Sequence, residues 1–196
     1  IDYDDHRIRE ELVRIGHQGL TAVLAGPEGP AIGPVVCFLN NGVAGSAGPA
    51  GLWTHYAREL AVRGIPSLRV DVRGLGTSPD PTIRPIHQDV PVRPEIGADV
   101  DATVADLRAR GFGRVVLTGL CSGGYTSIMN AALAPEPADA VVSINPPLFN
   151  LRDVGWTQPR PRVWGWVSWA MCKDPLRRLA GSGPRAVWTA ADRTNV

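Results

Sequence analysis

Residues 119–123 read Gly-Leu-Cys-Ser-Gly, which puts Cys121 at the centre of a G-x-C-x-G pentapeptide. This is the nucleophile-elbow pattern G-x-S-x-G with cysteine in the nucleophile position. The apolar run 114–118 before it predicts a buried strand, and 122–133 after it predicts a helix. A turn that tight between strand and helix leaves no room for side chains two residues to either side of the centre, hence Gly119 and Gly123. The central residue is then held on strained backbone with its side chain projecting from the sheet. The helix N-terminus brings unpaired N–H groups and a partial positive charge. Both favour a thiolate and stabilise an oxyanion. Cys121 is therefore the candidate nucleophile. The competing reading is a small buried hydrophobe, the usual fate of a free cysteine. Ser122 also carries a hydroxyl, but its register is wrong, because Leu120 and not glycine stands two residues before it. Its backbone N–H is the better asset, as an oxyanion donor following the nucleophile.

Other groups could complete this chemistry. Asn41-Gly42-Val43 ends an apolar strand, and the Val43 N–H is the candidate second oxyanion donor. An ordinary glycine-rich turn is the alternative. Asp192 follows the apolar run 185–189 and is the candidate acid to orient a histidine, or else a solvated loop acid. Asp71 and Arg73, in Asp71-Val-Arg-Gly-Leu-Gly-Thr-Ser78, read as a loop brace. The four histidines are His6, His17, His55 and His87, and none follows Cys121. His87, in a proline-rich stretch, is the candidate substitute base. Cys37 and Cys172 read as packing residues.

The elements that must position these groups follow from the apolar pattern. Strands are expected at 11–15 and 18–25, with Leu12, Leu20, Ala22 and Leu24 on one face, after an unpatterned charged segment 1–10. Residues 26–30 read as a turn. Further strands are expected at 34–39, 67–72, 114–118, 138–144 and 185–189. Between them lie helices at 50–63, carrying Leu52, Tyr56 and Leu60 inward, and at 96–110, carrying Ala98, Val100, Val104 and Leu107 inward. Gly64 suits a helix C-cap. This alternation predicts an α/β fold with a mostly parallel sheet, whose site lies at the carboxyl ends of the strands. About residues 147–182 interrupt the pattern as a Trp-rich cap insert holding Trp156, Trp164, Trp166 and Trp169. Trp164 and Trp166 are candidates for the wall of an apolar substrate pocket, with a dimer surface or simple packing as alternatives.

The chain of 196 residues fits one domain with a core of good size. A net charge of +1, with no basic cluster, argues against a nucleic-acid partner. Three cysteines without framework spacing suit a reducing, cytoplasmic setting better than a disulfide scaffold. No apolar run is long enough to span a membrane, and no signal peptide is visible. The start at Ile1 leaves room for residues upstream. No metal-ligand cluster is present, and Gly74-Leu75-Gly76 lacks the third glycine of a dinucleotide fingerprint, so no metal or cofactor is expected.

From about residue 11 onward the chain resembles the α/β-hydrolases, and more narrowly those found with exosortase and surface-polysaccharide systems. The residues that carry the likeness are Asn40-Asn-Gly-Val43, Gly48-Pro, His55-Tyr-Ala-Arg-Glu-Leu-Ala61, the 67–78 segment, Gly119-Leu-Cys-Ser-Gly-Gly124 and Ile144-Asn-Pro146. The resemblance implies a Cys121 nucleophile, an Asp192 acid and a histidine beyond the last strand. The sequence stops before the helix–strand–helix that would carry it, so a missing C-terminal portion is expected. The activity expected is hydrolysis or acyl transfer on an ester or thioester, of small-molecule or carrier-bound acyl substrates, and the Trp-rich insert leaves a homo-oligomer open. A non-catalytic binding module of the same fold, and a redox-regulated thiol at Cys121, are the alternatives.

Overall fold

A computed structural model describes residues 1–78, 80 and 94–146, together with the backbone of 187–189. Its described strands are β1 (Asp2–Tyr3), β2 (His6–Ile15), β3 (Leu20–Pro27), β4 (Val35–Phe38), β5 (Ser67–Val70), β6 (Val115–Leu120), β7 (Ala140–Ile144) and β8 (Val187–Thr189). The helices are α1 (Leu52–Val62), α2 (Pro94–Ala109) and α3 (Ser122–Leu133). The strands form one sheet in the order β1-β2-β3-β5-β4-β6-β7-β8. The β1, β2, β3 and β5 neighbours pair antiparallel, while β5, β4, β6, β7 and β8 run parallel. β4 lies between β5 and β6, so the chain leaves it to one side and later returns on the other. That reversal opens a crevice at the strands' carboxyl ends.

The parallel strands are nearly continuous in apolar residues because helices cover both faces. One core cluster joins Val35, Cys37, Leu68 and Leu117 to Ile96, Val100, Val104 and Leu107 of α2. Full burial of each such side chain contributes roughly 1.5–3 kcal/mol. The other cluster sets Trp53 and Ala57 of α1 against Ala25 and Phe38. Trp53 also donates its indole N–H to Leu39 O at 3.0 Å and lies with its ring centroid 5.1 Å from that of Phe38. α1 is thereby pinned to the end of β4. It ends as expected at Gly64, with φ 79° and Ile65 N–H bonded back to Leu60 O at 2.9 Å.

Several boundaries and faces depart from the sequence expectation. The charged start is strand, because β2 exposes one edge of its pattern and buries only Ile8, Val13 and Ile15. Leu12 shares a face with Ile8 and Glu10 by strand alternation, yet is 69% exposed. β3 runs on through Pro27, so the turn begins later than expected. The buried stripe of α1 is Trp53, Ala57 and Ala61, one residue on from the expected one, and Tyr56 is exposed. In α2, Ile96, Val100, Val104 and Leu107 are buried, and Ala98 is exposed. Asp99 takes the inward position beside Ala98 and pairs with Arg73.

Candidate active site

The turn at 119–123 forms where β6 gives way to α3. Cys121 has φ 57° and ψ −120°, a backbone state that side-chain-bearing residues rarely adopt. Three glycines make this geometry fit. A Cβ at Gly119 would lie 2.3 Å from the Gly123 carbonyl carbon, and one at Gly123 would lie 2.5 Å from Asn40 O. One at Gly124 would meet Ser143 Oγ at 2.7 Å. The helix therefore rests backbone-to-backbone on β6 and on the end of β4. The Cys121 N–H donates to Ile144 O at 2.9 Å, and its carbonyl accepts Tyr125 N–H at 3.0 Å. Cys121 is half-buried, and no acidic residue occupies the first turn of α3. Nothing there offsets the positive end of the helix. Cys37, mid-strand in β4, is fully enclosed, and burial pushes its thiol up to about 12.

Beside the turn lies the arm 40–44. Ala44 N–H closes it on Asn41 O at 2.9 Å, and Gly42 has φ 53°. The Gly42 N–H donates to Ser122 Oγ at 2.8 Å. The Val43 N–H has no acceptor among the described residues, and the Val43 side chain is exposed. The Ser122 N–H, on the first residue of α3, has no intrahelical acceptor. Two unengaged N–H groups thus flank the thiol-bearing turn. Beneath them, Asn40, Gly42, Ser122 and Gly123 line a cavity of about 10 Å³ floored by Val72 and Leu75. It is room for one water at most.

Asp71, just past β5, organises the base of this region. Its buried carboxylate accepts from Asn40 Nδ2 (2.9 Å), Ser46 Oγ (3.3 Å), Thr77 N–H (2.9 Å) and Thr77 Oγ1 (3.0 Å). Asn40 in turn donates to Ala44 O and accepts Val72 N–H, both at 2.9 Å. A Cβ at Gly76 would lie 2.3 Å from the Asp71 carboxyl carbon, so only glycine lets the 74–78 loop approach it. Arg73 is held by Asp99, whose carboxylate also accepts Arg73 N–H at 2.8 Å. That hydrogen bonding, the largest influence on the guanidinium, raises its pKa. The bracing role expected for Asp71 and Arg73 fits these contacts.

Of the expected site residues, Cys121, Ser122 and Val43 come together at one edge of the sheet. Asp192, His87, Trp164, Trp166 and the cap at 147–182 lie outside the described residues, as does Cys172. The other histidines are elsewhere. His55, on α1, meets Tyr3 OH at 2.9 Å, His6 contacts Asp4 O at 2.6 Å, and His17 is exposed in the β2–β3 turn. Sequence reasoning missed the roles of the Asn40 side chain and the Ser122 hydroxyl as hydrogen-bonding supports. The available signal for Asn40 was its place at the end of a two-sided apolar strand, where a polar side chain needs buried partners.

A family model described as the alpha/beta hydrolase fold matches residues 34–181. Solved structures share the architecture. An epoxide hydrolase from Vigna radiata aligns with a TM-score of 0.52 and 21% identity, covering 76% of this chain and 41% of that one. The Thermus thermophilus protein TT1662 aligns with a TM-score of 0.58 and 15% identity, covering 93% and 88%. An acetyl xylan esterase from Paenibacillus sp. R4 aligns with a TM-score of 0.55 and 17% identity, covering 89% and 65%. The chain thus spans about two fifths of the epoxide hydrolase's length and most of TT1662's. At these identities the likeness is one of fold. No curated protein matches the chain. Among the described residues, no helix is long and apolar enough to cross a membrane, and no group of side chains is arranged to hold a metal ion.

Proposed function

The chain belongs to the alpha/beta hydrolase family, and from that premise we propose that it is a hydrolase or acyltransferase acting on an ester or thioester through an acyl-enzyme at Cys121. The observation that carries this reading is Cys121 itself. It sits at positive φ at the N-terminus of α3, with unengaged N–H groups on Ser122 and Val43 beside it. Backbone strain of this kind clusters at active sites.

In the proposed reaction the Cys121 thiolate attacks the acyl carbon and forms a C–S bond. The carbonyl π electrons move onto oxygen, and the Ser122 and Val43 N–H groups stabilise the resulting oxyanion. Collapse expels the alkoxide or thiolate leaving group, which takes a proton from the general acid. Water or another acceptor then attacks the thioester, its proton going to the base, and Cys121 is released. A histidine oriented by Asp192 is the expected proton carrier, with His87 as the substitute. Trp164 and Trp166 would wall an apolar acyl group. The esterase and epoxide hydrolase among the structural neighbours are in keeping with hydrolysis of this general kind. The second reading is a non-catalytic binding module of the same fold, since the fold alone does not establish chemistry.

The test incubates the full chain with a p-nitrophenyl ester and an activated thioester, then locates the acyl adduct by mass. Turnover with the adduct on Cys121, and its loss by at least about 1,000-fold in Cys121→Ala, is the expected result. Acyl release without labelling at Cys121, or undiminished turnover in Cys121→Ala, would remove the assigned nucleophile. Neither labelling nor turnover would leave the binding module. Cys37 stays unlabelled in the folded protein because it is enclosed and its thiol is not ionised at ordinary pH.

A further inference from the structure

We infer that the Ser122 side chain is a positioning residue, whose hydroxyl oxygen tethers the arm that carries the Val43 N–H. The inference rests on the acyl-enzyme reading above and adds a second task for the residue after the cysteine. Three observations carry it.

The first is the bond itself: Gly42 N–H donates to Ser122 Oγ at 2.8 Å, and Ser122 is only 5% exposed, so water competes little for its oxygen. The second is how the arm is otherwise held. Its base is fixed by Asn40, which bonds Ala44 O, Asp71 and Val72 N–H. Its tip is not. Gly42 has the conformational freedom of glycine, Val43 is 58% exposed, and Ala44 N–H bonds only within the arm, to Asn41 O. Among the described residues, the Ser122 hydroxyl is the tip's hydrogen-bonded link to the body of the fold. The third is the seating of α3. The bare Cα of Gly123 lets the helix close onto Asn40 O and Leu39 O, which brings residue 122 against the arm.

A hydroxyl at this position therefore does what neither the thiol nor the glycines can. It accepts the Gly42 N–H and so fixes the Asn41–Gly42 peptide, which anchors one side of the Gly42 Cα from which the Val43 N–H is presented. An oxyanion donor is effective only if it is oriented before charge develops. Substrate binding does not need that orientation, so the effect belongs in kcat rather than KM. The engaged, buried hydroxyl also explains why Ser122 is a support and not a rival nucleophile.

The experiment compares the full chain with Ser122→Ala and Ser122→Thr. The alanine variant keeps the Ser122 backbone N–H and removes only the tether. Loss of one such hydrogen bond predicts a fall in kcat of about fivefold to tenfold, with KM changed less than about twofold. Ser122→Thr, which restores the oxygen, recovers most of that loss. Affinity for a trifluoromethyl ketone, which forms a tetrahedral oxyanion adduct with a thiolate, falls by the same factor as kcat. Independently of activity, amide hydrogen exchange at Gly42 accelerates in Ser122→Ala and not in Ser122→Thr. The inference is overturned if Gly42 exchange is unchanged in Ser122→Ala. It is equally overturned if exchange accelerates while kcat holds within twofold, or if the loss falls on KM. If the parent neither turns over nor labels at Cys121, the acyl-enzyme reading falls. Gly42 exchange alone then decides the tether, with acceleration supporting it and no change removing it.

Discussion

Arg69 and Asp71 stand two residues apart on β5 and its continuation, and both are buried, yet they are neutralised in different ways. Arg69 is met by charge. Its guanidinium lies 2.9 Å from Glu10 Oε1, while Arg58 of α1 takes Glu10 Oε2 at the same distance. Burial lowers the Arg69 pKa and Glu10 opposes that, whereas the hydrogen bond to Glu10 raises the pKa of the more open Arg58. Asp71 takes its hydrogen bonds from neutral donors, on Asn40, Ser46 and Thr77, and feels the Arg69 charge only at a distance. The first centre fastens α1 to β2 and β5. The second shapes two loops at the edge where the cysteine lies. Ion pairs tolerate imprecise geometry, while neutral donors must be aimed. The aimed arrangement is the one placed beside the site.

Mutations can separate the two centres, and the largest effect belongs to Asp71. Asp71→Ala strands the buried donors of Asn40 and Thr77 and should cost about 2–4 kcal/mol of stability. With both loops released, ester turnover should fall by at least about 10-fold. Denaturant melts and kcat at matched folded fraction measure the two. Asp71→Ala with unchanged kcat would make the centres equivalent and end the contrast. Arg69→Met should cost about 1–3 kcal/mol, because Glu10 keeps Arg58 as a partner and the methionine refills the volume. Its kcat should stay within about twofold of the parent, and a larger loss would mean that the ion cluster also reaches the site.

The smallest effect concerns a carboxylate with too few donors. Asp101 of α2 receives one hydrogen bond from Asn130, at 2.7 Å, and burial raises its pKa against that bond. A carboxyl whose pKa is higher in the folded state holds its proton more tightly there than in the unfolded chain. The charged form therefore costs stability above the folded pKa, and the cost vanishes below the unfolded one. Asp101→Asn should raise stability at neutral pH by less than about 1 kcal/mol, solvent screening being substantial at this half-exposed position. The gain should disappear in melts run at acid pH. A gain that persists there would point to packing rather than charge.

The parallel half of this fold was legible in the sequence because its signals are local. The runs around residues 35–38, 115–120 and 140–144 are largely apolar on both faces, 67–70 is apolar on one, at Leu68 and Val70, and glycines lie between the elements. The tight turn at Cys121 was equally open, since the spacing of Gly119 and Gly123 is a steric requirement of a few consecutive residues. The antiparallel start was less so. Charged residues at Arg7, Arg9 and Glu11 face solvent on β2 and hide its period, and Glu10 is turned inward only because Arg58 and Arg69 await it. Such pairings join residues 48 or 59 positions apart, and no local pattern announces them. The shifted stripe of α1 has a similar cause. Small alanines at 57 and 61 let the helix sit close, a fit decided by the sheet beneath it. The Asn40–Asp71 and Gly42–Ser122 contacts were illegible for the same reason, spanning 31 and 80 positions.

The glycine seam on which α3 meets β6, β7 and the end of β4 has a thermal consequence. Contacts made by side chains freeze rotamers when they form and can loosen one rotamer at a time on warming. At Gly119 and Gly123 the seam is backbone against backbone and has no rotamers to release, and at Gly124 the one side-chain neighbour is the short Ser143 hydroxyl. Its order costs little side-chain entropy, and it has no graded way to soften. As temperature rises, the cysteine's setting should hold steady until helix and strand part together.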